Sequence, residues 1–148
     1  MSTPTPPAYQ HSTAETTWIR LMRVYHQIDK RSAEIMKTHG LSVSRFDVLV
    51  HAGARDGRSQ QELADAMFVT KGNITQLLDG MEAENLLYRR RKGRTNHIFL
   101  TEEGRCKRQR AMAEQLDAVE AAMSALGESE QAQLNKFLRT IDRSLANT

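Results

Sequence analysis

Two stretches of the chain carry side chains whose types and spacing suit chemistry on another molecule. Thr70, Lys71, Gly72, Asn73, Thr75 and Gln76 offer hydroxyls, amides and one ammonium on mostly short side chains. Such groups can match the donors and acceptors that base edges present in a DNA major groove. Downstream, Arg89, Arg90, Arg91, Lys92 and Arg94 make five of six consecutive residues basic. Charges so close repel one another unless an anion lies against them, and a phosphate backbone is the anion that fits, with Thr95 and Asn96 beside it. The other reactive side chains form no constellation. The five histidines, at positions 11, 26, 39, 51 and 97, show neither i, i+4 pairing nor a cysteine cluster, so no metal site is expected. No nucleophile motif, phosphate-cradling glycine loop or distinctive carboxylate pair is present, so neither an enzyme nor a cofactor is expected.

These stretches need elements to hold them. Ser59-Gln60-Gln61-Glu62 is a capping box, in which a serine oxygen and a glutamate carboxylate satisfy amides left open at a helix start. It predicts a supporting helix from Ser59, with Leu63, Ala64 and Met67 on one face and Ser59, Gln60 and Gln61 as its DNA-binding residues. Thr70 is a suitable N-cap for a second helix, whose Ile74, Leu77, Leu78 and Met81 fall at i, i+3, i+4 and i+7 and so share one buried stripe. At about 100° per residue, Val69, Gly72 and Gln76 then point away from that stripe, with Asn73, Thr75 and Gly80 flanking. A merely solvated helix would carry Lys and Glu there. After Asn85 the pattern becomes extended. Leu86-Leu87-Tyr88 leads through the cations to a Gly93-Arg94 tip and returns as Ile98-Phe99-Leu100, which is a β-hairpin thin enough at Arg94 to enter a minor groove.

Long helices flank this unit. Ser12-Thr13-Ala14-Glu15 caps one in which Trp18, Leu21, Tyr25, Ile28 and Ile35 keep a 3,4 spacing; run to about Lys37, it would measure about 37 Å, too long for one small domain to cover. Thr101 caps another, with Met112, Leu116, Val119, Met123 and Leu126 on its stripe and Gly127 expected to stop it. A last helix carries Leu134, Phe137, Leu138, Ile141 and Leu145. Stripes of this length at both ends are expected to bury against a second subunit in a two-fold homodimer. A helix from about Ser44 to Ala54, with Phe46, Leu49 and Val50 inward, connects the parts.

The chain has 148 residues, about one ordinary domain, with a formal charge of only +3. Its charge is unevenly spread. Between Leu86 and Arg110 nine Lys or Arg stand against two Glu, a local +7, so the remainder sums to −4. A protein that presents one face to phosphates has this asymmetry. Three prolines within the first ten residues predict an extended, mobile tail over 1–11. No apolar run approaches the roughly 20 residues of a membrane span, and no signal peptide is evident. One cysteine excludes an internal disulfide and suits a reducing compartment, so a cytoplasmic protein with no membrane partner is expected.

Together, Glu62-Leu63-Ala64, Val69-Thr70, Ile74-Thr75, Leu77-Leu78, Met81-Glu82, Leu86-Leu87, Arg89 and Leu100-Thr101-Glu102-Glu103-Gly104 resemble the MarR-type winged helix-turn-helix transcriptional regulators of bacteria and archaea, over nearly the whole chain from about Thr13. The tip departs from the family, being shorter and lacking the Asp of its Asp-x-Arg wing signature. The resemblance implies a mainly α fold with a small β-hairpin wing: a DNA-binding domain over 41–100, and dimerisation helices over 12–37 and 101–148. It implies a homodimeric repressor that binds double-stranded DNA at a pseudopalindrome. It also implies a small phenolic or aromatic effector, bound where the second helix meets the first and fifth. Trp18, Met22, Tyr25, His26 and His51 are the pocket candidates, with Arg20 or Arg23 as counter-charge, although most would be core or interface in a protein without a ligand. Cys106 lies among Arg105, Lys107 and Arg108, whose charge favours thiolate, but relatives that sense peroxide carry their cysteine near the first helix, and Cys106 reads as a bystander. Two alternatives remain open: a helical interaction module whose basic hairpin binds an acidic protein, and a regulator that is ligand-independent or responds through cysteine redox.

Overall fold

The computed structural model describes residues 11–147; the predicted tail over 1–11 therefore lies almost wholly outside the described residues. Six helices and a three-stranded sheet follow in the order α1 (Thr13–Thr38), α2 (Val43–Ala54), β1 (Arg58–Ser59), α3 (Gln60–Met67), α4 (Lys71–Ala83), β2 (Leu87–Lys92), β3 (Thr95–Leu100), α5 (Glu102–Met123) and α6 (Glu128–Ala146). The fold is mainly α with a β-hairpin wing, as read from the sequence. Ser12, Ser42, Ser59, Thr70 and Thr101 each accept a backbone N–H at a helix start, a bond typically contributing about 1 kcal/mol.

The core lies in the middle of the chain. Leu49, Leu63, Ile74, Leu78, Met81, Leu86, Leu87 and Ile98 are almost completely buried, each stabilising the fold by about 1.5–3 kcal/mol. They bring α2, α3 and α4 onto one face of the sheet, while Met36 of α1 and Ala111 of α5 close it. The sheet order is β1-β3-β2, antiparallel throughout. Residues 58 and 59 form a short edge strand paired with Ile98 and His97, an element the sequence pattern did not reveal. In the hairpin Leu87 faces Leu100, Arg89 faces Ile98 and Arg91 faces Asn96. The alternate pairs, Tyr88 with Phe99, Arg90 with His97 and Lys92 with Thr95, point to the opposite face. At the tip Gly93 takes φ +64, the conformation a two-residue hairpin loop demands of its first residue.

Two helix ends use left-handed residues other than glycine. Phe68 (φ 55) follows α3 and Asn85 (φ 60) follows α4; in each case the next amide returns to the helix, Val69 to the Ala64 oxygen and Leu86 to the Met81 oxygen, both at 3.0 Å. This Schellman geometry turns the chain sharply and so sets the angle between α3 and α4. The turn therefore forms with Phe68 in place, the residue 97 % exposed.

The expected stop at Gly127 is corrected. Helix α5 ends at Met123, capped by Ser124, and Gly127 instead opens α6, its N–H donating to Glu130 Oε2 at 2.8 Å. Glycine suits both roles, and Glu130 three residues later decides between them. Helix α6 has no buried residue. Leu134, Phe137, Leu138, Ile141 and Leu145 are 38–71 % exposed. Along the N-terminal half of α1, Trp18, Leu21, Val24 and Tyr25 are likewise exposed, and Ile28 is half-buried.

Candidate nucleic-acid interface

The N-termini of α3 and α4 and the inner face of the wing converge on one cleft. Gln60, Gln61, Lys71, Ile74, Arg91, Arg94, Thr95 and Asn96 line a cavity of about 330 Å³. No carboxylate lies among these residues, so an anion entering the cleft meets only cations, amides, a hydroxyl and the edge of an aliphatic side chain. Helix starts add partial positive charge from their open N–H groups.

On α4, Lys71, Gly72, Asn73 and Gln76 are exposed, and a methyl group built on Gly72 would meet no atom within 4 Å. Of the residues expected to flank this face, Gly80 is covered by the Arg45 guanidinium, which pairs with Glu84 at 2.5 Å. Val69, expected on this outward face, is corrected: it lies before the first turn of α4 and packs against the core.

Thr75 departs from the role read for it. Its hydroxyl donates to the Lys71 carbonyl oxygen at 2.9 Å and accepts from Gln60 Nε2 at 2.6 Å, so its proton and one lone pair are committed to fixing α3 against α4. Gln61 similarly donates to Asp65 Oδ1 at 2.8 Å. At the start of α3 the Ser59–Glu62 box is closed in both directions, at 2.8 and 3.1 Å. Glu62 also pairs with Arg55 at 3.0 Å. The Ser59 N–H, followed by Arg55, holds the Glu62 carboxyl below the usual glutamate range.

Arg89 is likewise not a free wing cation. Its side chain is only 18 % exposed; Nη2 lies 2.5 Å from Asp79 Oδ1, and Nε lies 3.5 Å from Glu82 Oε2. It ties the first wing strand to the C-terminal half of α4. Arg90 points to the outer face, its guanidinium 5.4 Å from the Tyr88 ring and 5.6 Å from the Phe99 ring, which stack on each other at 5.5 Å. His97 Nδ1, on that same face, donates to the Gly57 oxygen at 2.7 Å and anchors the sheet to the loop after α2. No local sequence signal could have revealed these long-range bonds.

The expected effector residues are not gathered into one pocket. Trp18, Met22 and His26 line an open groove on α1 itself, Tyr25 sits edge-on to His26 at 5.6 Å, and His51 lies on α2. A better-formed apolar cavity, about 430 Å³, lies between α1 and α5, lined by Val24, Ile28, Arg31, Ser32, Ala118, Val119 and Met123 among others. At its floor Gln115 Nε2 donates to the buried Ser32 Oγ at 2.7 Å. On α2, burial pushes the Asp47 carboxyl up, with His51 opposing and Asp29 reinforcing the shift. Cys106 is exposed and free. Among the described residues no cluster of metal ligands occurs, and no helix is long and apolar enough to cross a membrane.

Comparison with known proteins gives the same picture. The MarR family model matches residues 39–94. An HTH-type transcriptional regulator of Bacillus cereus is 33 % identical over 128 residues, covering 85 % of this chain and 86 % of its own. Among solved structures, the MarR family regulator AbsC from Streptomyces coelicolor superposes with a TM-score of 0.84 at 20 % identity, over 95 % of this chain and all of its own. CouR from Rhodococcus jostii RHA1, solved with p-coumaroyl-CoA, superposes with a TM-score of 0.78 at 26 % identity, over 89 % of this chain and 95 % of its own. The repressor CouR has also been solved on a 23-mer DNA duplex, where it superposes with a TM-score of 0.77 at 23 % identity, over 90 % of this chain and 99 % of its own. The chain belongs to the MarR family of winged helix-turn-helix transcriptional regulators.

Proposed function

We propose that the protein is a homodimeric repressor that reads a pseudopalindromic operator through α4 and is released by a small aromatic anion. The observation that carries this reading is the exposed, nearly uncharged surface of Gly72, Asn73 and Gln76, standing directly beside a carboxylate-free cationic cleft. Short amide side chains match base edges in the major groove, whereas the wing cations hold the backbone without regard to sequence.

The apolar faces support the dimer. One protomer leaves all of α6 and the first half of α1 uncovered, more apolar surface than a stable monomer ordinarily shows to water. A second copy covering it across a two-fold axis would set the two α4 helices about one DNA turn apart. On this division 41–100 binds DNA, while 12–37 and 101–148 form the dimer. For the effector, a cavity of 430 Å³ with an arginine at its rim is of the size and character that binds small organic anions. The CoA thioester carried by CouR is of the aromatic class.

The test is selection of a duplex from random sequence, followed by mobility shift at ~150 mM salt against a scrambled duplex. Gln76→Ala is expected to erode discrimination between the two, and equal retention of both by the wild type would overturn the reading. For the effector, salicylate and p-coumarate should raise the melting temperature and release the operator; indifference to both would remove that part of the proposal.

A further inference from the structure

In the sequence the cations from Arg89 to Arg94 form one cluster broken only by Gly93, but the sheet separates them. Arg89 is consumed by Asp79 and Glu82 of α4, and Arg90 lies over Tyr88 and Phe99 on the outer face, with Lys92 two residues further along that same face. Arg91 turns inward opposite Asn96, and its Nε donates to the Gly93 oxygen at 3.1 Å, which fixes the guanidinium plane and leaves both terminal nitrogens open. Across the cleft stands Lys71, from the first turn of α4, and Arg94 closes the mouth at the tip.

A protein that lays a helix in the major groove and a hairpin tip in the neighbouring minor groove must straddle the sugar-phosphate strand dividing them. That strand has to pass between α4 and the wing, which is where this cavity lies. We infer that Lys71, Arg91 and Arg94 form a clamp on the dividing phosphodiester strand, and that Arg89, Arg90 and Lys92 take no part in it. The clamp rests on the DNA-binding reading and deepens it by dividing the wing's charge into working and structural cations.

Salt dependence measures this division. Removing one cation from a phosphate lowers the slope of log affinity against log salt by about 0.9, or by about 1.8 when the substitution stands in both protomers of a dimer. The probe is a fluorescein-labelled, mixed-sequence DNA duplex of about three helical turns, titrated by anisotropy with the full chain in a series of potassium chloride concentrations. Lys71→Gln and Arg91→Gln are expected to lower the slope by that amount, and Arg91→Lys to restore it. Arg90→Gln and Lys92→Gln are expected to leave it at the wild-type value. Melting temperatures of all five variants, recorded alongside, identify any change that comes from unfolding. An unaltered slope in Lys71→Gln and Arg91→Gln, or an equal decrease in all four glutamine variants, overturns the clamp while the DNA-binding reading stands. Failure of the wild type to bind any duplex overturns both.

Discussion

Changing Gly104 to alanine and Gly72 to alanine makes the same chemical change in the first turn of two helices, with opposite expected results. A Cβ on Gly104 would lie 1.9 Å from the Leu86 carbonyl oxygen and 3.0 Å from its carbon. The obstruction is backbone, so the carbonyl must retreat by about 1.5 Å to reach ordinary contact. That oxygen accepts the Thr101 N–H at 3.1 Å, and the Thr101 hydroxyl in turn caps α5 through Gly104 N–H at 3.0 Å. Losing that hydrogen bond costs about 1 kcal/mol and losing the cap about 1 more, while overpacking adds about 1–3. The better helix propensity of alanine returns about 1. Net destabilisation of about 2–4 kcal/mol is expected for Gly104→Ala. Gly72 has open space where its Cβ would go, so Gly72→Ala should stabilise by up to about 1 kcal/mol while weakening discrimination between operator and scrambled duplex. Urea unfolding followed by circular dichroism, at one fixed protomer concentration because a dimer's midpoint depends on it, measures both. An unchanged midpoint for Gly104→Ala, or a destabilised Gly72→Ala, would refute the packing argument.

Three further outcomes follow from the geometry. Phe68→Gly should raise stability by about 0.5–1 kcal/mol, because a left-handed L-residue costs about 1–2 and glycine's added chain freedom takes back part of the relief; thermal denaturation is the check. Asp47→Asn should raise the melting temperature at neutral pH. Burial raises this carboxyl's pKa in the folded state, so its contribution is present below the ordinary aspartate range and lost as pH rises through the folded value; the gain from asparagine should vanish in acid. Arg89→Met and Asp79→Asn should each change stability by less than about 1 kcal/mol, since Asp79 is largely exposed. Both should weaken binding to every duplex, and the double variant should be no worse than either, as a mobility-shift cycle would show.

Much of the site was legible because its signals are local. The Ser59–Glu62 box, the Ile74 to Met81 stripe and the Gly93 tip each depend on neighbours within a few residues. The register that sets Arg91 on the face of Leu87, and the packing that turns this face onto Lys71, come from the structure alone. The bonds that sequence reasoning did not foresee are those between residues distant in sequence. Thr75 answers to Gln60 fifteen residues earlier and Arg89 to Asp79 ten earlier, and no periodicity encodes such pairs. The two-residue strand β1 is too short to show a period. The effector candidates followed from the family resemblance, but the cavity between α1 and α5 arises from the packing of elements about eighty residues apart, as the bond between Ser32 and Gln115 shows.

Dimethyl sulfate interference on the selected operator asks most directly whether α4 lies in the major groove and the wing in the minor one. The reagent methylates guanine N7 in the former and adenine N3 in the latter. Methylation at N7 is expected to block binding in two clusters about one helical turn apart, with N3 interference adjoining each cluster. Binding that tolerates N7 methylation at every guanine would contradict insertion of α4 into the major groove.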